Sequence, residues 1–584
     1  MKENVVENFV LSQNYFENKF MKKYVLIPLF LLFFLSVAKP CTNFLVGKNA
    51  TTDGSTLVSY SADSYMLYGA LYHYPAADYE PNTMLSVYEW DTGKYMGEIA
   101  QVEHTYNVVG NMNEYQLCIA ETTFGGRSEL VDTTAVLDYG SLIYITLQRA
   151  KNAREAIDIM TSLVQEYGYA SEGESFSIAD PNEVWILEMI GKGVDLKRDK
   201  KGRLINKNKG AVWVAVRIPD DCVSAHANQA RITTIDFSDK ENVLYAPDVI
   251  TFARKQGYFT GKDAEFSFSD VYNPLDFGGI RFCEARVWAF FRKIDPATDS
   301  YISYINGETK QRMPLWVKPQ EKLSCEFVQA CMRDHYEGTP LDMTKGLGAG
   351  CSGSPFRRSP LTWEVDSVEY FHERPIATQQ TGFSFVGQMR SWLPNPIGGI
   401  LWFGVDDATF NVYVPMYCGI TAIPQCFDIN NGSLLDFSWT SAFWIYNWVA
   451  NMVYPHYSDM LPDIREEQRD WAVRFESLVR KTDEEAVKLF ADDKSAAVKY
   501  LTAFSNTQAE ESTLSRKKLG EYLMVKYLDG VIKSEKDKRF IKNERHIPPS
   551  VMRPGYMESY NRQIVNENPD RFRYKSQEEI NNRK

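Results

Sequence analysis

Apolar and polar positions change rhythm several times along the chain, and each change predicts a different element. Near the start, Lys22-Lys23 precede an apolar run from Tyr24 to Leu35, broken only by Pro28, and Ser36-Val37-Ala38 follows. A basic stretch, about a dozen apolar residues and a small-x-Ala end make a secretory signal, whereas a bilayer span needs about 20 residues. Glu3, Glu7 and Glu17 make residues 1–20 a poor basic region, so Met21 is the expected start, with 1–38 as signal and 39–40 as a short propeptide. The expectation is an exported protein, periplasmic or extracellular, without stable membrane insertion.

Further along, the period shortens. Tyr115 to Thr123, Val184 to Ile190 and Gly210 to Arg217 are short runs rich in β-branched and aromatic residues, which predict buried strands. Asn152 followed by Glu155 predicts a helix start, and Ala156, Ile157, Met160, Leu163 and Val164 form an apolar stripe ending at Gly168. That stripe is a helix face laid on a sheet, with Met160 as packing. After residue 420, Trp439, Trp444 and Trp448, then Trp471, Phe475, Leu478 and Val479, and the box Thr482 to Glu485 predict amphipathic helices to about residue 530. Their tryptophans read as packing. The last fifty residues are charged and Pro-punctuated, which predicts an extended tail. The pattern divides the chain into an α+β body over 41–430 and a helical extension with a charged tail over 431–584.

Composition narrows the partners. With 584 residues, 44% of them hydrophobic, the chain can bury a large core in one to three domains. Lys and Arg number 64 against 76 Asp and Glu, a net charge of −12, the wrong sign for gripping nucleic acid. Nine cysteines are too few for a disulfide scaffold, and their odd number leaves a thiol over. Seven histidines offer no i, i+4 pair and no H-E-x-x-H, so a metallopeptidase is unsupported and neither metal nor cofactor is expected. His226 reads as a satisfied structural histidine. Gly348-Ala-Gly350-Cys-Ser-Gly353 spells G-x-G-x-x-G, but Pro355 follows where a helix should begin, so it reads as a loop.

Removal of the signal would leave Lys39-Pro40 in front of Cys41, for which three readings compete. A lipid-anchored cysteine needs small residues before it, and a structural cysteine would be one among nine. The favoured reading is an amino-terminal nucleophile. A thiol titrates near about 8.5 and an α-amine near about 8, so one residue would hold both a nucleophile and its base. The amine would take the thiol proton, the thiolate would attack an amide carbonyl, and water would resolve the thioester. While the propeptide is attached that amine is an amide, so maturation would switch activity on.

The stretch Cys41-Thr-Asn-Phe-Leu-Val-Gly-Lys-Asn-Ala-Thr-Thr-Asp-Gly-Ser-Thr-Leu-Val-Ser-Tyr-Ser-Ala-Asp63-Ser64 resembles the mature start of the C69 dipeptidases. These are N-terminal nucleophile hydrolases related to penicillin V acylases and bile salt hydrolases. Further matches follow in order: Asn113-Glu114 leading into Ala120 to Phe124, Trp185 to Gly191, Trp213 to Arg217, Ser224 to Arg231, and Arg281 to Trp288. The resemblance implies that the α+β body is a four-layer αββα sandwich in which the nucleophile begins a strand; the helical C-terminal extension comes from the pattern alone. It implies Cys41 as nucleophile, Asp63 orienting its amine, Asn228 donating to the oxyanion, and Arg281 or Arg286 near the nucleophile. Thr123 stands where the acylases place an oxyanion-hole asparagine, and Ser59, Tyr60 and Ser61 where they carry an arginine, so that clamp is expected to be missing.

The implied activity is dipeptide hydrolysis through a thioester. A dipeptide carries one charge of each sign, which places Glu121 or Asp63 near its ammonium and Arg231, Arg281 or Arg286 near its carboxylate. An acylase for bile salts or penicillin V and a non-enzymatic exported binding protein are the alternatives, and a homo-oligomer is left open.

Overall fold

The computed structural model describes residues 41–582, so the expected signal and propeptide lie outside the described residues. In chain order the strands that matter are β1 (Asn43–Val46), β2 (Thr56–Asp63), β3 (His73–Tyr74), β4 (Val108–Val109), β5 (Met112–Asn113) and β6 (Cys118–Gly125). They continue with β7 (Gly173–Ala179), β8 (Val184–Gly191), β9 (Ala211–Arg217), β10 (Val223–His226), β11 (Val243–Tyr245) and β12 (Trp316–Val317). The last three are β13 (Thr381–Met389), β14 (Gly399–Val405) and β15 (Val414–Tyr417). They build two antiparallel sheets, ordered β12-β10-β1-β2-β13-β14-β15 and β11-β9-β8-β7-β6-β5-β4-β3. The molecule is therefore α+β.

Alternation along the strands tells which side each residue faces. Leu45, Val58, Tyr60 and Ala62 share one buried cluster with Cys118, Ala120, Phe124, Val212 and Val214 of the second sheet. On the other face of β1, β2 and β10, Phe44, Val46, Leu57 and Val223 pack with Ala285, Val287 and Phe290 of helix α3 (Ala285–Ile294). On the second sheet, Ile119, Phe176, Ile178 and Leu187 pack with α1 (Tyr139–Leu147) and α2 (Ala153–Tyr167). Strands covered on both sides read as unbroken burial: all eight residues of β2, of sequence TLVSYSAD, are buried. The runs at 184–190 and 210–217 are strands almost throughout, whereas the run from Tyr115 opens in a turn and becomes strand only at Cys118. Asn152 caps α2 by accepting the Glu155 N–H, and Gly168 ends it at φ 84°.

The first three α-helices after residue 430 are α4 (Ala442–Val453), α5 (Tyr457–Asp492) and α6 (Lys494–Lys526). The Thr482–Glu485 box starts none of them. Thr482 is buried in mid-helix, and the break comes at Asp493, whose carboxylate accepts the Ser495 N–H (2.8 Å) and caps α6. Here local capping signals lose to burial of Trp471, Phe475 and Val479, which keeps the helix continuous. From residue 541 onward no described residue is buried. The Gly348–Gly353 segment lies in a short 3-10 turn, Leu347–Ser352, with Gly350 at φ 62°. Among the described residues no helix is long and apolar enough to cross a membrane.

Candidate active site

Cys41 stands one residue from an isolated bridge between Thr42 and Ser61 and two from the first residue of β1. Its sulfur is buried between the sheets, 3.8 Å from Tyr60 Oη and 3.8 Å from Glu121 Oε1, and the Tyr60 hydroxyl donates to that same oxygen at 2.5 Å. Burial, then the charges of Glu121 and Asp63, hold the thiol well above its usual range. With the preceding peptide attached, the sulfur is thus kept protonated.

Glu121 reaches this place because β6 runs out of strand partner. β5 pairs with β6 at Cys118 alone, so the edge beyond is open. Asn43 closes it with a side chain: with the amide orientation that satisfies every neighbour, its carboxamide donates to Glu121 O (3.1 Å) and accepts from Glu121 N (3.2 Å) and from Ser177 Oγ (3.0 Å). The backbone of Glu121 is satisfied there as a strand would satisfy it. Behind it lies Glu174 of β7, opposite Thr123 in the ladder and fully buried. Burial, and after it the charge of Glu121, push Glu174 far above the carboxylate range, with the Thr123 hydroxyl opposing weakly.

A second cluster holds the other side of Cys41. Arg286, in the first turn of α3, follows a π-helical turn over Gly279–Glu284. Its guanidinium donates to Cys41 O (2.6 Å), Thr42 Oγ1 (2.9 Å), Phe282 O (2.7 Å), Ala227 O (3.0 Å) and Asn228 Oδ1 (2.9 Å). Five N–H groups meet five acceptors. Because Arg286 takes Oδ1, the Asn228 amide is turned so that Nδ2 donates to Thr123 O (2.7 Å). Asn228 itself has φ 66°. Asp63 ends β2 and accepts from Thr381 Oγ1 (2.6 Å) and from Arg374 Nη2 (2.7 Å). Burial raises its pKa in spite of Arg374, which pulls the other way.

The expected residues therefore separate. Cys41, Asp63, Glu121 and Asn228 converge, and Thr123 contributes its carbonyl. Arg286 is next to the nucleophile but saturated by protein acceptors, so it positions Cys41 and Asn228 and has no donor left for a substrate carboxylate. Arg231 is spent on Glu284 (2.8 Å) and the carbonyls of Ala225, Pro314 and Leu315, and Arg281 on Glu373 (2.6 Å) and Asn306 (2.8 Å). Both arginines are structural ion pairs. An arginine from elsewhere in the chain, Arg374, reaches the same side and pairs with Asp63 (2.7 Å). His226 bonds Thr122 and Ser177 (2.7 Å each) across the sheets, and burial lowers it to about 3, so it is neutral and structural. A separate cavity of about 1530 Å³, lined by Trp402, Arg465 and Phe475 among others, lies under α5 and does not include Cys41.

This geometry coincides with sequence kinship. The sequence model for peptidase family C69 matches residues 40–70 and 66–470, so its first match starts one residue before Cys41. The chain belongs to peptidase family C69. As a C69 peptidase it acts on peptide bonds. Proteins similar to it include a probable dipeptidase from Latilactobacillus sakei, 26% identical over 493 residues, which span 79% of this chain and 90% of that protein. A probable dipeptidase from Salmonella dublin is 26% identical over 424 residues, 68% of this chain and 86% of the relative. Probable dipeptidase B of Streptococcus pyogenes serotype M1 is 22% identical over 507 residues, 84% and 94% of the two chains.

Tyr60, Asn43, Glu174 and Arg374 have no part in the sequence-based site of this C69 peptidase. Glu174 leaves one trace in the sequence, a carboxylate inside the otherwise apolar or small run Gly173–Ala179. Arg374 leaves none.

Proposed function

We propose that this protein is an exported cysteine dipeptidase of the N-terminal nucleophile type, active once the chain begins at Cys41. The reading rests above all on the surroundings of the Cys41 sulfur: a buried thiol with its carbonyl fixed by Arg286, a carboxylate 3.8 Å away, and histidine engaged elsewhere. Such a thiol needs a base, and a freed α-amine on the same residue is one. The two facing sheets, with α3 against one and α1 and α2 against the other, support the four-layer αββα sandwich of that superfamily. Lys22 to Ala38 supports export.

In the mature protein the Cys41 amine takes the thiol proton, with Asp63 at the end of β2 orienting that amine. The thiolate attacks the carbonyl carbon of the peptide bond. Asn228, its amide turned by Arg286, stabilises the oxyanion with an Nδ2 hydrogen, a contribution worth about 10²–10³ in rate for one such donor. The amine then protonates the leaving nitrogen, and water hydrolyses the thioester. Attack on an apolar N-acyl amide is the weaker reading, because the carboxyl of Glu121 stands 3.8 Å from the sulfur, which favours a substrate carrying positive charge beside the scissile carbonyl.

The test joins two measurements. Intact mass of active protein should give a chain starting at Cys41, and Cys41→Ala should lower dipeptide turnover by at least about 10³ with its melting temperature kept. Full activity in Cys41→Ala, or in protein that keeps Lys39-Pro40, removes the proposal.

A further inference from the structure

Arg333 and Arg465 bring two guanidiniums to the wall of the cavity under α5. Arg333, just past helix Cys325–Cys331, makes one long hydrogen bond, Nη2 to Asn411 O (3.5 Å), and its Nε is buried without an acceptor. Arg465 of α5 donates through Nη1 alone, to Thr409 O (3.0 Å) and Gln468 Oε1 (2.8 Å). Gln468 in turn donates to Thr409 O and Asn411 O, so both arginines are held against one short backbone stretch. Among the described residues neither forms an ion pair. Of the acids lining the cavity, Asp334 is paired with Lys293, Glu337 with His335 and Asp483 with Arg390, and Asp53 accepts from Gln388. Glu326, Glu476 and Glu484 are exposed and pair with neither guanidinium. Burial lowers both arginines, Arg333 to about 10, which still leaves it charged at neutral pH. Two like charges at a poorly solvated wall repel each other, and an anion between them replaces that cost with charge-assisted hydrogen bonds.

The donors and the walls together say which anion. The Arg333 guanidinium lies 5.1 Å over the Tyr413 ring, which fixes its plane and presents an N–H edge suited to a planar, two-oxygen acceptor. Much of the remaining wall is apolar: Trp402 of β14 and Phe475 of α5 stand 6.4 Å apart, and Val412 and Val479 line the same space. Trp402 is opposite Val386 in the sheet, whereas its neighbour Phe403 is opposite Phe385, whose ring meets Tyr60. Trp402 therefore points to the face of the first sheet turned away from Cys41. At about 1530 Å³ the cavity exceeds the roughly 300–1,000 Å³ of sites for compact ligands and has room for an extended chain. We propose that it is a binding site for an amphipathic carboxylate, a fatty-acid-like molecule whose headgroup bridges Arg333 and Arg465 and whose chain lies along Trp402 and Phe475. A dipeptide would set an ammonium against the guanidiniums and cover little of the apolar wall. The site is thus separate from substrate binding and does not depend on how Cys41 reacts.

The test titrates wild-type protein by calorimetry with octanoate, decanoate and dodecanoate below their micelle concentrations, beside decyltrimethylammonium. Affinity should rise at least about twofold for each added CH₂, decanoate should bind at least about a hundredfold more tightly than the cation, and saturating decanoate should raise Tm. Arg333→Gln should weaken decanoate binding at least about tenfold and leave kcat/KM for the dipeptide Ala-Ala within about twofold of wild type. Equal affinity for decanoate and the cation, affinity that ignores chain length, or unchanged decanoate binding in Arg333→Gln would overturn the inference. The ligand series needs no variant, so misfolding of Arg333→Gln does not shelter the idea. A wild-type dimer in sedimentation that binds no decanoate and falls to monomers in Arg333→Gln would show that a second copy fills the groove, and would overturn it as well.

Discussion

Asn228 has to be both a donor and a backbone corner. Its φ of 66° lies in the left-handed region, where a Cβ costs about 1–2 kcal/mol and asparagine is among the residues that tolerate it best. Its amide is held by Arg286 on one side and Thr123 O on the other. Glycine keeps the corner and removes only the amide. Asn228→Gly is therefore expected to lower kcat by about 10²–10³ while its melting temperature stays within about 3 °C, whereas Asn228→Val should lose both activity and stability. Equal kcat in Asn228→Gly and wild type would take the amide out of the reaction. The sequence puts Cys41, Asp63 and Asn228 into one candidate site because each sits in a short local motif. Glu174 and Tyr60 do not stand out in the sequence, since nothing near them says that β6 lacks a neighbour beyond Cys118 and leaves room for them beside the sulfur.

Strand pairing explains the rest of what local patterns missed. The register of β2 on β13 sets Asp63 opposite Thr381, and the chain entering β13 passes Arg374 across the same carboxylate, 311 residues away in sequence. Spacing arguments work within an element and stop at such a crossing. A second carboxylate shows how element packing governs pH behaviour. Asp406, just after β14, has φ 63°, accepts from Asn447 of α4 (2.9 Å) through one oxygen, and has no donor for the other. Burial raises it to about 8. A carboxyl with a raised folded pKa gives stability that is complete below its unfolded value near about 4 and is lost as pH rises toward 8. Glu188, raised by burial to about 7, adds a loss of the same sign. Asparagine accepts the left-handed backbone and cannot ionise. Asp406→Asn should be more stable than wild type at pH 8.5 by up to a few kcal/mol, with the difference shrinking toward pH 5, as read from urea midpoints. A difference independent of pH would show that Asp406 does not titrate on unfolding.

At the scale of the whole molecule, the helices after residue 430 are part of the body, and the end of the chain is not. Trp471, Phe475 and Val479 of α5 and Leu501 and Ala509 of α6 belong to the same buried cluster as the inter-sheet core. Ser505 Oγ donates to Pro415 O (2.9 Å) and accepts from Tyr417 N (3.3 Å), and Asp483 pairs buried Arg390 (2.5 Å). Removing residues 457–584 would uncover two strands and leave Arg390 buried without its carboxylate, a loss of about 3–5 kcal/mol for that pair alone. Beyond residue 547 the contrast is complete. Val551 and Met552 pair only with Lys533 and Ile532, helix Glu558–Glu567 buries nothing, and Met557 N bonds Cys351 O (3.4 Å). The family-model match ends at residue 470, inside α5, a helix that belongs to the folded body. Deletion of 548–584 should leave Ala-Ala turnover within about twofold of the full chain and shift Tm by no more than about 3 °C, because exposed segments contribute little to the cooperative unit. Deletion from 457 should give insoluble protein, so soluble yield and turnover of the two truncations, side by side, measure where the folding unit ends.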